Sequence, residues 1–260
     1  MTLKLKNCGY SVGTHVLLQD ISATIANGVV TGILGANGAG KTSLLHIATG
    51  AEKAQPGSVQ LCQGDQDYLL DSLSLNKRAS HIAVLPQSSE LEFPFSVEEV
   101  VLMGRIPSAS DDATNRMIVA EVLGLLSLTD FSNRIYTSLS GGEKQRVQIC
   151  RIICQVYDDL PNAHLLFDEP IAPLDIAYQI AFFKLIRTLA SQGAAIGLVL
   201  HDIDLACRFC DEIILMGAGK IIASGKAAEV ITAESIRAAF DIEVSIGTGP
   251  NGSIQLVIAD

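Results

Sequence analysis

Apolar and polar positions alternate over residues 3–10 and 16–25, the period of half-buried antiparallel strands. The pattern then changes. Dominantly apolar runs stand at 29-VVTGIL-34, 80-SHIAVLPQ-87, 163-AHLLFDEP-170, 195-AIGLVLHD-202 and 213-IILMGAGKIIASG-225. Such runs suit strands buried on both faces. Helical periodicity fills 41–50, ending at Gly50, and about 176–192 and 203–210. Residues 56–65 read as a turn, a short strand and a turn. From about 96 to 157 the pattern is helical, interrupted at 104–112 and 132–142, and predicts a helical lobe inserted into the core. Residues 226–260 read as a helix and two short strands around 247-GTGPNG-252 that close the domain. The alternation predicts one α/β domain over 1–260: a mostly parallel sheet with helices on both faces and an N-terminal antiparallel part.

With 260 residues, 48% apolar and 18% charged, the chain has the composition of a folded globular protein. A net charge of −10 argues against a generic nucleic-acid binder and against adhesion to anionic lipid. No apolar run approaches the roughly 18 residues of a membrane span, and MTLKLKNCGY lacks a signal-peptide core, so a cytosolic location is expected. The six cysteines are then expected to be reduced. Cys207 and Cys210, like Cys150 and Cys154, fall on helical periodicity and read as small core-facing residues. No second cluster completes a four-ligand zinc site. His15, His46, His81 and His164 are scattered and read as surface or core residues.

The chemistry begins at 35-GANGAGKT-42, which fits G-x-x-x-x-G-K-[ST] after a strand and before a helix. Glycines let backbone N–H groups wrap phosphate oxygens. Lys41 adds charge at the outer phosphates, the Thr42 hydroxyl suits Mg²⁺, and the helix start adds roughly half a positive charge. At 164-HLLFDE-169 two carboxylates emerge from a buried strand, at the sheet end where ligands gather. Asp168 is expected to hold Mg²⁺ and Glu169 to direct the attacking water. His201 ends another strand and can donate to a γ-phosphate. Gln87, at the end of a further strand, can reach the metal or the water. A second helix start, 138-SLSGGEKQRVQI-149, offers small residues and free N–H groups to an anion.

In this order the motifs resemble the nucleotide-binding subunit of an ABC transporter, over essentially the whole chain. The resemblance implies a P-loop NTPase core that binds ATP and Mg²⁺. Asn37, Gly38, Gly40, Lys41, Thr42 and Ser43 would contact nucleotide, with Tyr10 as the aromatic that stacks on adenine. Gln87 corresponds to the Q-loop, 139-LSGGE-143 to the signature, Asp168 and Glu169 to the metal carboxylate and catalytic base, 172-APLD-175 to the D-loop and His201 to the switch histidine. It further implies two copies packed head to tail. Ser140, Gly141 and Gly142 of one copy would then face the nucleotide on the other, with Asp175 beside them. The D-loop departs from the usual pattern, because Ile171, Ala172 and Pro173 replace hydroxyl-bearing residues.

The stretch 85-LPQSSELEFPFSVEEVVLMGRIPS-108 resembles haemin-import ATPases, with Ser108 where their histidine is usual. Phe93 and Phe95 there read equally as an exposed patch or as lobe core. The resemblance implies a subunit at the cytoplasmic face of an inner membrane, partnered by permease subunits and indirectly by a periplasmic solute-binding protein. Importers of ferric siderophores or vitamin B12 share this architecture. A soluble ABC ATPase acting on DNA or ribosomes is the more distant reading, disfavoured by a single cassette without coiled-coil or zinc insertions. A P-loop small-molecule kinase would leave LSGGE without a role.

Overall fold

The computed structural model describes residues 1–64, 66–88, 91–248 and 254–258. Strands β1 (Thr2–Val12) and β2 (His15–Ile25) pair antiparallel, as their alternation predicts. Strand β3 (Val30–Gly35) leads into helix α1 (Lys41–Thr49). Strands β4 (Ser58–Gln63) and β5 (Gln66–Leu69) form a hairpin beside β1, giving a four-stranded sheet in the order β2-β1-β4-β5. Helix α2 (Leu75–Ala79) precedes β6 (Ile82–Leu85). β5 and α2 carry mostly exposed side chains, and so leave no burial pattern to read in the sequence.

Next come α3 (Val97–Leu102), α4 (Asp112–Leu125) and α5 (Gly141–Gln155), broken near the expected interruptions. Strand β7 (His164–Asp168), helix α6 (Ile176–Ser191), strand β8 (Ala195–Val199) and helix α7 (Ile203–Phe209) follow. Strands β9 (Glu212–Gly217) and β10 (Lys220–Gly225) make a hairpin. Helices α8 (Ala227–Val230) and α9 (Ala233–Phe240) lead to the strand pair β11 (Val244–Thr248) and β12 (Ile254–Ile258). Most of the tip expected at 247–252 lies outside the described residues.

The principal sheet runs β10-β9-β3-β8-β7-β6, parallel except for the edge strand β10. Its apolar runs serve two cores at once. Val30, Leu34, Leu165, Phe167, Ile196, Leu198, Ile213 and Leu215 point into a core shared with α3, α5 and α6. Ile33, Leu166, Ala195, Val199, Ile214 and Met216 point into the other, against α1 and the antiparallel sheet. A strand whose alternate residues feed two cores has no polar face, which is why these segments read as unbroken apolar runs.

The helical segment joins the first of these cores through α5. At Gly104 an added Cβ would lie 2.1 Å from Arg151 O, so the turn after α3 rests directly on α5. Arg105 is buried there and binds Asn115 Oδ1, Cys154 O and both carboxylate oxygens of Asp158. Ser108 Oγ accepts from Arg105 and donates to Asp158 at 2.9 Å. The serine in the place of a histidine thus completes a hydrogen-bonded anchor. Phe93 is 69% exposed, whereas Phe95 packs against the core, so the aromatic pair divides between the two readings.

Candidate functional site

The phosphate loop hangs between β3 and α1 at the carboxyl end of the parallel strands. Gly38 (φ 80°) and Gly40 (φ 98°) adopt left-handed backbone, which a side chain would strain. Nothing lies within 4 Å of a Cβ added at Gly38, while one at Gly40 would meet Leu18 at 2.8 Å. The loop is therefore open on one side and pressed against β2 on the other. Asn37 and Thr42 are exposed and Ser43 is half-buried. Lys41 is buried, and its Nζ donates to Gly35 O at 2.8 Å and Ala36 O at 3.0 Å. Burial lowers its pKa, and the Glu169 and Asp168 carboxylates oppose that shift.

Asp168 ends β7 with its carboxyl against α1, where Oδ2 accepts from Thr42 Oγ1 at 2.8 Å. Its Oδ1 is buried without a partner. Burial raises the pKa of this carboxyl, with Glu169 adding to the effect and the Thr42 bond opposing it. A buried carboxylate with an unused oxygen beside a hydroxyl is a hard-oxygen donor set of the kind Mg²⁺ takes, so these residues fit the ion.

Glu169 has a left-handed backbone, φ 52°, a conformation that costs a non-glycine residue about 1–3 kcal/mol and gathers at functional sites. The turn aims its carboxylate across to β8, where His201 Nε2 stands 2.5 Å from Glu169 Oε1. The parallel register sets Asp168 opposite Val199, and that register is what brings the ends of two distant segments together.

The second helix start is built differently. Ser140 caps α5, accepting from Glu143 N at 3.4 Å, while Glu143 Oε2 accepts from Ser140 N at 2.7 Å. Hydrogen bonds from Ser140 hold the Glu143 carboxyl below its ordinary pKa. The box leaves first-turn N–H groups of Gly141 and Gly142 outside the helix ladder. Gly142 also lets the D-loop approach, since a Cβ there would be 3.1 Å from Pro173 O. Gln145 Nε2 donates to Pro170 O at 3.0 Å, and the Arg146 guanidinium stacks over Tyr178 at 3.8 Å. Asp175 caps α6, accepting from Tyr178 N at 3.0 Å. Sequence reasoning missed Gln145 and Arg146, because nothing local marks which helix residue faces a segment some 25 positions away.

The structure thus brings Lys41, Thr42, Asp168, Glu169 and His201 together. Gln87 is exposed and lines a crevice of about 510 Å³ with Gly141, Gln145 and Pro173. Tyr10 pairs on β1 with Leu18 of β2, the residue that borders Gly40 of the phosphate loop. Its phenol faces Glu52, whose N–H bonds His46 O near the C-terminal end of α1. Burial and that carboxylate raise the Tyr10 pKa.

Residues 18–172 match the ABC transporter family. The chain belongs to that family. As an ABC cassette it is an ATP-hydrolysing protein, and relatives agree along its length. The "Hemin import ATP-binding protein HmuV" of Pseudomonas fluorescens (strain Pf0-1) is 39% identical over 257 residues, covering 99% of both chains. That of Escherichia coli O157:H7 is 35% identical over 260 residues, with 99% of both covered. A "Cobalamin import ATP-binding protein BtuD" of Halobacterium salinarum is 37% identical over 253 residues, 96% of this chain and 61% of the relative. Among solved structures, an inward-facing putative metal-chelate type ABC transporter shares the fold at TM-score 0.80 and 24% identity, covering 100% of this chain and 97% of that one. A bacterial ABC transporter cassette solved as a dimer matches at TM-score 0.73 and 26% identity, covering 86% and 98%.

Within this ABC cassette the cysteines have no part in the site. Burial, assisted by nearby acidic groups, lifts Cys207 to about 11 and Cys210 to about 12, so neither is a thiolate at neutral pH. Cys210 Sγ instead fills the space a Cβ of Gly32 would need, at 2.9 Å. Among the described residues, no group of three or more His, Cys, Asp and Glu is placed to hold a metal, and no helix is long and apolar enough to cross a membrane.

Proposed function

We propose that this chain is the ATPase subunit of a haemin importer, held at the cytoplasmic face of an inner membrane by permease subunits and served by a periplasmic solute-binding protein. The observation that carries the catalytic part is the convergence of Lys41, the Asp168–Thr42 pair and the strained Glu169 on one loop. Thr42 and Asp168 would hold Mg²⁺ with Gln87 near it. The ion supplies charge neutralisation on the phosphates when bound. Lys41 would release the loop carbonyls and pair with the outer phosphates. Glu169 would orient and deprotonate the attacking water, and His201 would hold Glu169 and reach the γ-phosphate. The loop glycines, Asn37 and Ser43 would wrap the phosphates.

Ser140 caps the start of α5, with Ser140 and Gly141 exposed and Gly142 half-buried, and this helix start would receive an anion. Head-to-tail pairing of two copies would place them on the partner's nucleotide, with Asp175 beside the seam. ATP would then join the copies and hydrolysis would part them. Haemin is supported by the full-length relatives named for it. The cobalamin-named relative favours a second reading, a vitamin B12 or ferric-siderophore importer. A net charge of −10 disfavours the DNA or ribosome reading.

Two variants and one complex test the proposal. Glu169→Gln is expected to bind ATP, form a stable dimer and lose hydrolysis by about 100-fold or more, and Lys41→Ala to lose nucleotide affinity. Normal turnover in both would reject the catalytic assignment. The solute is tested in the intact membrane complex, where haemin, and neither a ferric siderophore nor cobalamin, should stimulate hydrolysis.

A further inference from the structure

Glu169 holds a backbone conformation that its own sequence resists. Its φ is 52°, in the left-handed region that few non-glycine residues enter. It also precedes Pro170, and a residue before proline favours extended backbone. Such a turn persists only where its surroundings hold it. Glu169 N donates to Val199 O at 3.3 Å, and Ala172 N reaches Glu169 O only at 3.5 Å. Pro170 has no N–H to donate, so its carbonyl is the polar group left to grip beside the base. Gln145 Nε2 donates to that carbonyl at 3.0 Å. Gln179 Nε2 holds the loop farther on, at Ile171 O (3.4 Å) and Leu174 O (3.0 Å). Gln145 is half-buried on α5. Its neighbour Arg146 fixes that helix, stacking on Tyr178 of α6 and donating to Leu126 O at 2.9 Å. The donor to Pro170 therefore stands on a rigid support.

We infer that Gln145 is a positioning residue for hydrolysis: its bond to Pro170 O keeps the Glu169 carboxylate aimed at the attacking water on the same chain's phosphate loop. This rests on the catalytic role proposed for Glu169 above. The bond acts on the residue next to the base, and its side-chain amide makes no bond to the phosphate loop. Its loss therefore falls on the rate and spares ATP binding. A base displaced by about 1 Å can lose up to about 100-fold in rate. Val199 and His201 still hold Glu169 when Gln145 is changed, so the loss should be smaller than that.

The test is steady-state ATP hydrolysis by the full chain, with Mg²⁺ and varied ATP. Gln145→Met keeps the side-chain length and removes the donor. It should lower kcat about tenfold and leave KM within about twofold. The thermal midpoint should move by no more than about 4 °C, the worth of one hydrogen bond. Gln145→Glu, polar but without a donor, should lower kcat at least as far. Gln145→Lys restores a donor and should recover most of the rate. In a Glu169→Gln background, Gln145→Met should change neither the residual rate nor the ATP-dependent dimer seen by sedimentation, because the base it serves is gone. Normal kcat in both donorless variants overturns the inference and leaves the functional reading intact. So does a loss confined to KM, or a further loss of rate or of dimer in the Glu169→Gln background. A Glu169→Gln chain that hydrolyses ATP normally removes the functional reading and this inference together.

Discussion

Glu169 and His164 show how a single position in β7 or just beyond it acquires its properties. Glu169 takes a left-handed backbone because β7 must end there and the chain must turn toward the D-loop. His164 begins the same strand, fully buried, and burial drives its pKa from 6.5 down to about 3. The folded chain therefore keeps the ring neutral while the unfolded chain takes up a proton between those values. Stability from this group is complete above about pH 6.5 and is lost as pH falls toward 3, by at most about 1.4 kcal/mol per pH unit. Urea midpoints measured from about pH 7 down to pH 5 should fall, and His164→Leu should flatten that slope. At this scale the sequence was a good guide to chemistry and a poor one to environment. Asp168 and Glu169 were legible as strand-end carboxylates, but His164 read only as one scattered histidine, since the strands that flank it, β6 and β8, are distant in sequence.

At the scale of elements, close approaches decide how the helices sit. Gly104 lets the turn after α3 rest on the backbone of α5, 2.1 Å from where its Cβ would be. Gly104→Ala must push the two apart and is expected to cost about 1–3 kcal/mol, read by chemical denaturation. The Arg105, Ser108 and Asp158 cluster should loosen with it. The strands of the main sheet were readable because each feeds two cores and so lost its polar face. β5 and α2 were not, because their exposed side chains owe nothing to burial. The clamp of Gln145 on Pro170 and of Arg146 on Tyr178 was equally hidden. Helical periodicity tells that a face is turned inward, without naming the segment it meets.

For the whole molecule, the proposed head-to-tail pairing of two copies predicts complementation. A Lys41→Ala copy paired with a Ser140→Arg copy has one ruined site and one made wholly of intact halves. Mixing the two inactive proteins should therefore restore ATPase activity, to about a quarter of the unmutated level if pairing is random. No recovery at any mixing ratio would mean that each chain completes its own site.

The sequence by itself determined the local pattern: the glycine-rich loop between β3 and α1, the strand-end carboxylates, the capped helix start at Ser140 and the two-core strands. Each depends on contiguous residues whose spacing the backbone converts directly into geometry. The tertiary structure alone decided that His201 lies against Glu169, that Tyr10 turns to Glu52, and that the D-loop rests on α5. Those outcomes follow from strand register and from which helix face meets which loop, and both are set by packing over the whole chain.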